Sequence, residues 1–289
     1  MEVLGIVVEP SLLRRWARWL APERQPFFLT TREAAEFGLA PEPRCEVSPE
    51  LRDTYELWNV PGDLAVVRLD EQAFHGLPRP VRAELVRAQL RHGRGAVAAV
   101  DDWADVLDAR GLREQADGQH FVWWPGMVEP RREAVLRRVV TDGHLPCRRT
   151  SVPADVWRAA ASVLPRAREL SGTFADGSGA NCFGTVMAAA GVPHATERWI
   201  QLDAFEGWLA TACADGGRDD RPGTVLVWRG TDLSSRHAAV ALGGGWALHK
   251  ASQSWASPRQ VLAIDDLVRT APDGVTLHRY SLGRPDRAT

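Results

Sequence analysis

The first 150 residues combine two periods of apolar positions. Short apolar runs predict β-strands at three places, which read EVLGIVV, DLAVVRL and HFVWW. Apolar residues spaced three and four positions apart predict amphipathic helices, which read SLLRRWARWLA, PVRAELVRAQLRHG and PRREAVLRRVVTDG. The last two helices begin with proline and end at glycine, which is a common asymmetry of helices in proteins. We therefore expect a mixed α/β region over residues 1–150.

The second half of the chain changes from helical patterns to strand patterns. Helical spacing covers DVWRAAASVLPRARELSG, with an interruption or kink at Pro165, and then CFGTVMAAAG and LDAFEGWLATAC. Strand-like runs follow between glycine and polar turns, and they read PGTVLVWRG, RHAAVALGGGWALHK and VTLHRYSL. This order predicts an α+β domain in which helices precede a meander of antiparallel strands. The segment HLPCRRTSVP resembles a joint, so we place the two domains at residues 1–150 and 151–289.

Charge and composition exclude several classes of protein. The formal net charge is −2, and we expect no nucleic-acid partner because proteins that bind nucleic acids usually have a basic face. The N-terminal segment lacks the basic start and apolar stretch of a secretory signal, and no apolar run of about 18 residues could span a membrane. We therefore expect a cytoplasmic protein with no membrane partner. No pattern in the sequence indicates the oligomeric state.

The cysteines give no sign of a disulfide framework or a metal site. They lie at wide and irregular spacings, at Cys45, Cys147, Cys182 and Cys213. No pair has CxxC spacing, so we expect reduced thiols. His144 forms an HxxC pair with Cys147, but a zinc site needs further ligands at a suitable spacing. The glycine-rich loop before Cys182 lacks the lysine of a P-loop. We therefore expect no metal and no cofactor.

Cys182 lies where the loop TFADGSGAN changes into a predicted helix. The start of a helix stabilises a thiolate, and the N–H of Cys182 itself would point toward an oxyanion formed beside the sulfur. A nucleophile is therefore one interpretation of this position. The other is a small apolar residue that packs in the core, which is the usual role of a buried cysteine.

Two histidines follow on a predicted hairpin. His237 begins one strand-like run, His249 ends the next, and Gly243–Gly245 lie between the runs. A three-residue turn pairs Ala239 with His249 and places both histidines on one face, as diagonal neighbours about 7 Å apart. A two-residue turn would shift the register and place them on opposite faces. With the three-residue turn, the chain offers a nucleophile in Cys182 and two neighbouring histidines, of which one could act as the base and the other could orient it.

Residues from about 152 to 282 resemble the NlpC family of papain-like cysteine peptidases. The nucleophile motif of that family, which is close to DCSG, corresponds to NCFG at Asn181–Gly184. Its strand PGDLVFF corresponds to PGTVLVW at Pro222–Trp228. Its segment HVGIYLGNG…IHA corresponds to HAAVALGGGWALHKA at His237–Ala251, and the twelve-residue spacing between the two histidines is that of the family.

The resemblance implies Cys182 as the nucleophile, His237 as the general base and His249 as the residue that orients the base. The side chains around these positions are candidate substrate contacts, namely Asn181, Phe183, Trp228 and Trp246. The chain also departs from the family, because Asn181 replaces an aspartate, Phe183 replaces a serine, and Leu170 stands where many members have a tyrosine.

The resemblance further implies a papain-like second domain that cleaves an amide bond through an acyl-enzyme on Cys182. Its substrate would be a cell-wall-type peptide or a related small amide. Two alternatives stay open. An acyltransferase of small-molecule biosynthesis would pass the acyl group to an amine acceptor. A binding or scaffold protein would keep the fold without catalysis, which the altered residues beside Cys182 allow.

Overall fold

The computed structural model of the chain describes residues 1–43 and 46–283, so Cys45 lies outside the described residues. The strands are β1 (Glu2–Val3), β2 (Ile6–Val7), β3 (Arg24–Leu29), β4 (Ala65–Asp70), β5 (Val97–Ala99), β6 (His120–Val122), β7 (Cys213–Asp215), β8 (Thr224–Arg229), β9 (Ser235–Gly243), β10 (Trp246–Lys250), β11 (Arg259–Ala263) and β12 (Thr276–Leu282). The α-helices are α1 (Pro10–Leu20), α2 (Thr31–Glu36), α3 (Pro49–Thr54), α4 (Glu71–Gly76), α5 (Arg79–Arg91), α6 (Ala109–Gln115), α7 (Pro125–Val128), α8 (Arg132–Thr141), α9 (Ala154–Ala161), α10 (Ala167–Leu170), α11 (Cys182–Ala189), α12 (Leu202–Ala212) and α13 (Ile264–Arg269).

The chain divides into two compact units. The N-terminal unit contains Met1 and Glu9–Val139, and the C-terminal unit contains Glu2–Val8 and the chain from Val140 onward. The division therefore lies before the predicted boundary at residue 150. The run EVLGIVV was predicted as one strand, but it turns at Leu4 and Gly5, which both have positive φ, and forms the hairpin β1–β2.

The N-terminal unit is a mixed α/β region, as the pattern predicts. β3 pairs with β4 and β5 pairs with β6, in two separate antiparallel ladders. Phe27 of β3 lies in an aromatic core, with ring centroids 5.9 Å from Phe74 and 6.3 Å from Trp124. The buried side chain of Gln89 in α5 bonds both backbone groups of Phe28, at 2.8 and 3.1 Å. These bonds tie the helix to the strand.

The C-terminal unit contains a six-stranded antiparallel sheet with the order β11-β10-β9-β8-β12-β7. Helices α9 and α11 contact β9 on one face, which carries Ala238, Val240 and Leu242 and is called the α11 face below. The opposite face carries Ala239 and Ala241, packs against residues of α13, and is called the α13 face. Because both faces of β9 are buried, its sequence is a continuous apolar run and not an alternation.

The structure confirms the mixed helix and strand composition and the antiparallel sheet of the C-terminal half. The predicted interruption at Pro165 separates α9 from α10. β11 was not predicted, although it pairs with β10 over five residues, Trp246–Lys250. Among the described residues, no helix has both the length and the apolar composition needed to cross a membrane.

Candidate functional site

Helix α11 begins at Cys182, and Asn181 caps it. The Oδ1 atom of Asn181 accepts a hydrogen bond from the Gly184 N–H at 3.0 Å. Its Nδ2 atom donates to the carbonyl oxygen of Ile200 at 2.8 Å. Asn181 was a candidate substrate contact, but its buried amide already has a partner at each end. Its role in the structure is to fix the start of the helix.

The other three candidate substrate contacts have different surroundings. Phe183 is buried and stacks on Phe205, with ring centroids 4.2 Å apart, so it belongs to the core and not to an open surface. Trp246 is partly buried against the core cluster of the α11 face. Trp228 lies on the α13 face, and its ring centroid is 5.3 Å from that of His237. Of these three, Trp228 is the one beside a predicted catalytic side chain.

Cys182 is 8% exposed and belongs to the core cluster of the α11 face. Burial raises the pKa of its thiol to about 11. The backbone N–H groups of Ala238 and of the helix start oppose this change in pKa, as does the positive charge of Lys250, but burial has the larger effect. The group is therefore a neutral thiol at neutral pH, and a neutral thiol is a poor nucleophile.

The hairpin β9–β10 has the predicted register but a different turn. Ala239 faces His249, as expected. The loop contains only Gly244–Gly245, because Gly243 pairs with Trp246, and a shift of register beside the turn restores the predicted pairing. Both loop glycines have the positive φ values, 59° and 79°, that a type I′ turn requires. The irregularity thus keeps the two histidines on one face in spite of the two-residue loop.

The two histidines lie together on the α13 face. The ring centroids of His237 and His249 are 5.7 Å apart, and the rings are nearly perpendicular. Ala238 belongs to the same core cluster as Cys182, whereas the ring of His237 contacts Trp228 on the opposite face. Adjacent residues of a strand point to opposite faces of the sheet. The structure therefore brings the predicted base and orienting residue together, while the sulfur of Cys182 lies in the core of the α11 face beside the backbone N–H of Ala238.

A cavity with a volume of about 300 Å³ opens beside the histidines, within the C-terminal unit. The lining of this histidine cavity combines polar and apolar side chains. Its polar side chains include His144, Arg236, His237, His249 and Gln260. Its apolar side chains include Leu145, Trp228, Leu262, Leu267, Ala271, Pro272 and Val275. A concave, mostly apolar surface with a few convergent polar groups is typical of sites that bind small molecules.

The side chain of His249 is buried at this cavity without hydrogen-bond partners among the described residues. It is 5% exposed, and both Nδ1 and Nε2 are buried without a hydrogen-bond partner among the described residues. A neutral imidazole has one donor and one acceptor, and each one that stays buried without a partner costs about 1–3 kcal/mol. A molecule in the cavity can supply these partners.

The two rings are neutral at physiological pH. Burial lowers the pKa of His237 to about 4. Burial also holds the pKa of His249 well below its usual range, and the charges of His237, His144 and Lys250 lower this pKa further. The ring of His237 keeps partial contact with solvent, so we expect it to take up a proton before His249 does when the pH falls.

The cavity residues that were not predicted as site residues include three with nitrogen-bearing side chains, namely His144, Arg236 and Gln260. His144 was considered only as a zinc ligand with Cys147, whose sulfur instead accepts a hydrogen bond from the Val261 N–H at 3.4 Å. Gln260 lies on the unpredicted strand β11, and its amide donates to a backbone carbonyl. No motif marks Arg236. The sequence signals that pointed to this cavity were His237, His249 and Trp228, and none of them marked His144, Arg236 or Gln260.

The described part of the chain contains no group of three His, Cys, Asp or Glu side chains that could hold a metal ion. Cys147, Cys182 and Cys213 are free thiols. The chemistry of the site therefore has to be argued from imidazole, guanidinium, amide and thiol groups.

Comparisons of this chain with protein-family models, with curated proteins and with solved structures each gave no match. The resemblance to the NlpC family thus rests on the sequence motifs around Cys182, His237 and His249.

Proposed function

We propose that the C-terminal unit binds a small molecule in the histidine cavity. The observation that carries this proposal is the buried ring of His249, with two unpartnered nitrogens at the wall of a cavity large enough for a ligand. Buried polar groups in proteins nearly always have partners, so an exception beside a cavity supports a binding role. This is the binding-protein alternative that the sequence left open.

The state of Cys182 supports binding over acyl transfer. An acyl-enzyme mechanism needs the base within hydrogen-bond reach of the nucleophile. Here the sulfur packs in the α11 face with a raised pKa, while His237 lies on the α13 face. Catalysis by this pair would require the His237 ring to reach the sulfur, which lies beside the backbone N–H of Ala238.

A cysteine hydrolase with a papain-like C-terminal fold is the second candidate, because two features favour a thiolate at Cys182. The residue occupies the first position of α11, and the Ala238 N–H acts on its sulfur to lower the pKa. In this mechanism the thiolate attacks the amide carbonyl carbon of a peptide or small amide, and His237 gives the leaving amine its proton. Water then releases the acyl group, or an amine acceptor takes it in the acyltransferase version.

A fragment screen followed by NMR of the histidine ring signals tests the binding proposal. We expect a subset of fragments to shift the ring signals of His237 and His249 in the wild type. The substitution His249→Phe should abolish this binding. The matched substitution His278→Phe changes a histidine that is not among the residues lining the cavity, and it should leave the binding unchanged. Fragments that bind elsewhere and never shift these two rings would contradict the proposal.

Mass spectrometry after incubation with an activated ester separates the second candidate from the first. A stoichiometric acyl adduct on Cys182, absent in His237→Gln, would support the hydrolase or acyltransferase. Faster loss of that adduct when an amine is added would then identify acyl transfer. The binding proposal expects no adduct at Cys182 that depends on His237.

A further inference from the structure

The histidine cavity is lined by groups that can donate hydrogen bonds or carry positive charge. Arg236 and His144 are among its lining residues, and no Asp or Glu occurs among those that the structure describes. Lys250 lies on the neighbouring position of β10, and its positive charge acts on His249. Arg236 is partly neutralised by Asp232, at 2.8 Å. This distribution of charge opposes a cation and favours an anion.

Much of the cavity lining is apolar, and this part of the lining is called the leucine wall. Leucine, valine, alanine and proline side chains from β11, α13 and the segment after α13 form it, namely Leu262, Leu267, Ala271, Pro272 and Val275. The volume of about 300 Å³ equals that of roughly ten water molecules. A ligand of about ten non-hydrogen atoms with one polar end and one apolar end matches both parts of the lining. A phosphate or a sugar would leave the leucine wall unused.

We propose that the cavity binds a small monocarboxylate, with the carboxylate between His237 and His249 and the apolar body against the leucine wall. This inference rests on the proposed function and names the class of its ligand. The N–H of a neutral imidazole can donate to one carboxylate oxygen. An imidazole that then takes up a proton donates from both nitrogens, and the new ion pair stabilises its charged form.

Binding is therefore linked to proton uptake. Among the residues that line the cavity, the other groups able to carry positive charge are His144 from the segment after α8 and Arg236 from β9. The charges of His144 and of Lys250, which follows His249 on β10, disfavour the charged imidazole of His249 in the free protein. A bound carboxylate supplies the missing negative charge. Affinity should rise as the pH falls from 7.5 to 5.5, by up to about tenfold per pH unit if one proton is taken up.

Isothermal titration calorimetry of the full chain with benzoate, benzamide and benzylamine tests the inference, because these probes have nearly the same shape and differ in charge. We expect benzoate to bind at least tenfold more tightly than either of the others at pH 6. Titrations in two buffers with different ionisation enthalpies should show proton uptake greater than zero. His249→Phe should weaken benzoate binding at least tenfold, and His278→Phe should not weaken it.

Different results of these titrations would contradict different parts of the proposal. If benzamide or benzylamine binds as tightly as benzoate and shifts the His237 and His249 ring signals, the carboxylate inference is wrong and the proposed function stands. If benzoate binds without proton uptake and without pH dependence, the linkage is wrong. If none of the probes shifts the two rings, the inference fails, and the wider fragment screen decides the proposed function. The comparison of probes in the wild type needs no variant and holds even if His249→Phe fails to fold.

Discussion

The two faces of the six-stranded sheet are packed in different ways. The α11 face carries larger side chains on β9, such as Val240 and Leu242, and Asn181 at its helix start has both amide groups satisfied. The α13 face carries alanines at the matching positions, Ala239 and Ala241, and it leaves a cavity and an unpartnered imidazole. Cys182 therefore lies in a packed core, while the unpartnered imidazole of His249 lies on the α13 face beside the cavity.

We expect the difference between the two faces to have its largest effect on how the free energy of unfolding changes with pH. Unfolded histidine has a pKa of about 6.5, and burial lowers the pKa of His237 to about 4 and that of His249 well below its usual range. Between these values the unfolded chain binds protons that the folded chain does not, so the free energy of unfolding falls as the pH falls. The loss is at most about 1.4 kcal/mol per pH unit for each ring, and less for His237 because it is partly exposed.

Urea denaturation at several pH values from 7.5 to 4.5 measures this loss. Carboxylates with lowered pKa values, such as Glu33 at about 2, contribute mainly below this range. His249→Phe should remove a large part of the slope between pH 6.5 and 4.5, whereas His278→Phe should keep it. A slope that is unchanged in His249→Phe would mean that this ring is not held neutral by burial.

Two leucines, one on each face of the sheet, allow the packing of the two faces to be compared by substitution. Leu248 is fully buried on the α11 face, and Leu267 lies at the wall of the histidine cavity. We expect Leu248→Ala to lower the free energy of unfolding by about 3–5 kcal/mol, because it opens a closed void. Leu267→Ala should cost about 2–3 kcal/mol, because it enlarges a space that already exists. Equal costs in urea denaturation would contradict the difference between the two faces.

Removal of the N-terminal cap of α11 should have a smaller effect on the free energy of unfolding. Asn181→Ala removes the acceptor of the Gly184 N–H and the donor to the Ile200 carbonyl, so we expect a loss of about 1–2 kcal/mol in the free energy of unfolding. Ser162→Ala, at an exposed helix end, is the control and should change stability by less than about 0.5 kcal/mol. If Asn181→Ala keeps full stability and instead changes the binding of a ligand, Asn181 is a substrate contact after all.

Local patterns in the sequence were sufficient to predict the start of α11, but they predicted the pairing of the hairpin only in part. The N-cap at Asn181, the glycine turn and the strand period of two are short-range features. The irregularity near Gly243 was not predictable in this way, because the choice of a two-residue loop depends on how the strands twist and pack. The sequence predicted a three-residue turn and regular pairing, whereas the structure has a two-residue loop and one irregularity in the pairing. These two differences cancel, so the prediction that His237 and His249 share a face is correct.

The relation of Cys182 to the histidines depends on tertiary packing, which the motifs do not encode. A motif match cannot say which face of a sheet a helix covers. One signal was present, because Val240 and Leu242 on the Ala238 face are larger than the alanines on the His237 face. Helices pack on the face with more apolar area to bury. On β8, however, the larger side chains Leu226 and Trp228 are on the other face, so this signal does not choose between the two faces.

The alkylation of Cys182 by iodoacetamide reports whether an imidazole acts on this thiol. The rate is followed by mass spectrometry of the Cys182 peptide as a function of pH, in the wild type and in His237→Ala. We expect slow alkylation with an apparent pKa well above the free-thiol value of about 8.5, and the same profile in the variant, because burial and not an imidazole controls this thiol. An apparent pKa below that value, lost in His237→Ala, would place the imidazole beside the sulfur and contradict the account of Cys182 as a neutral thiol in a packed core.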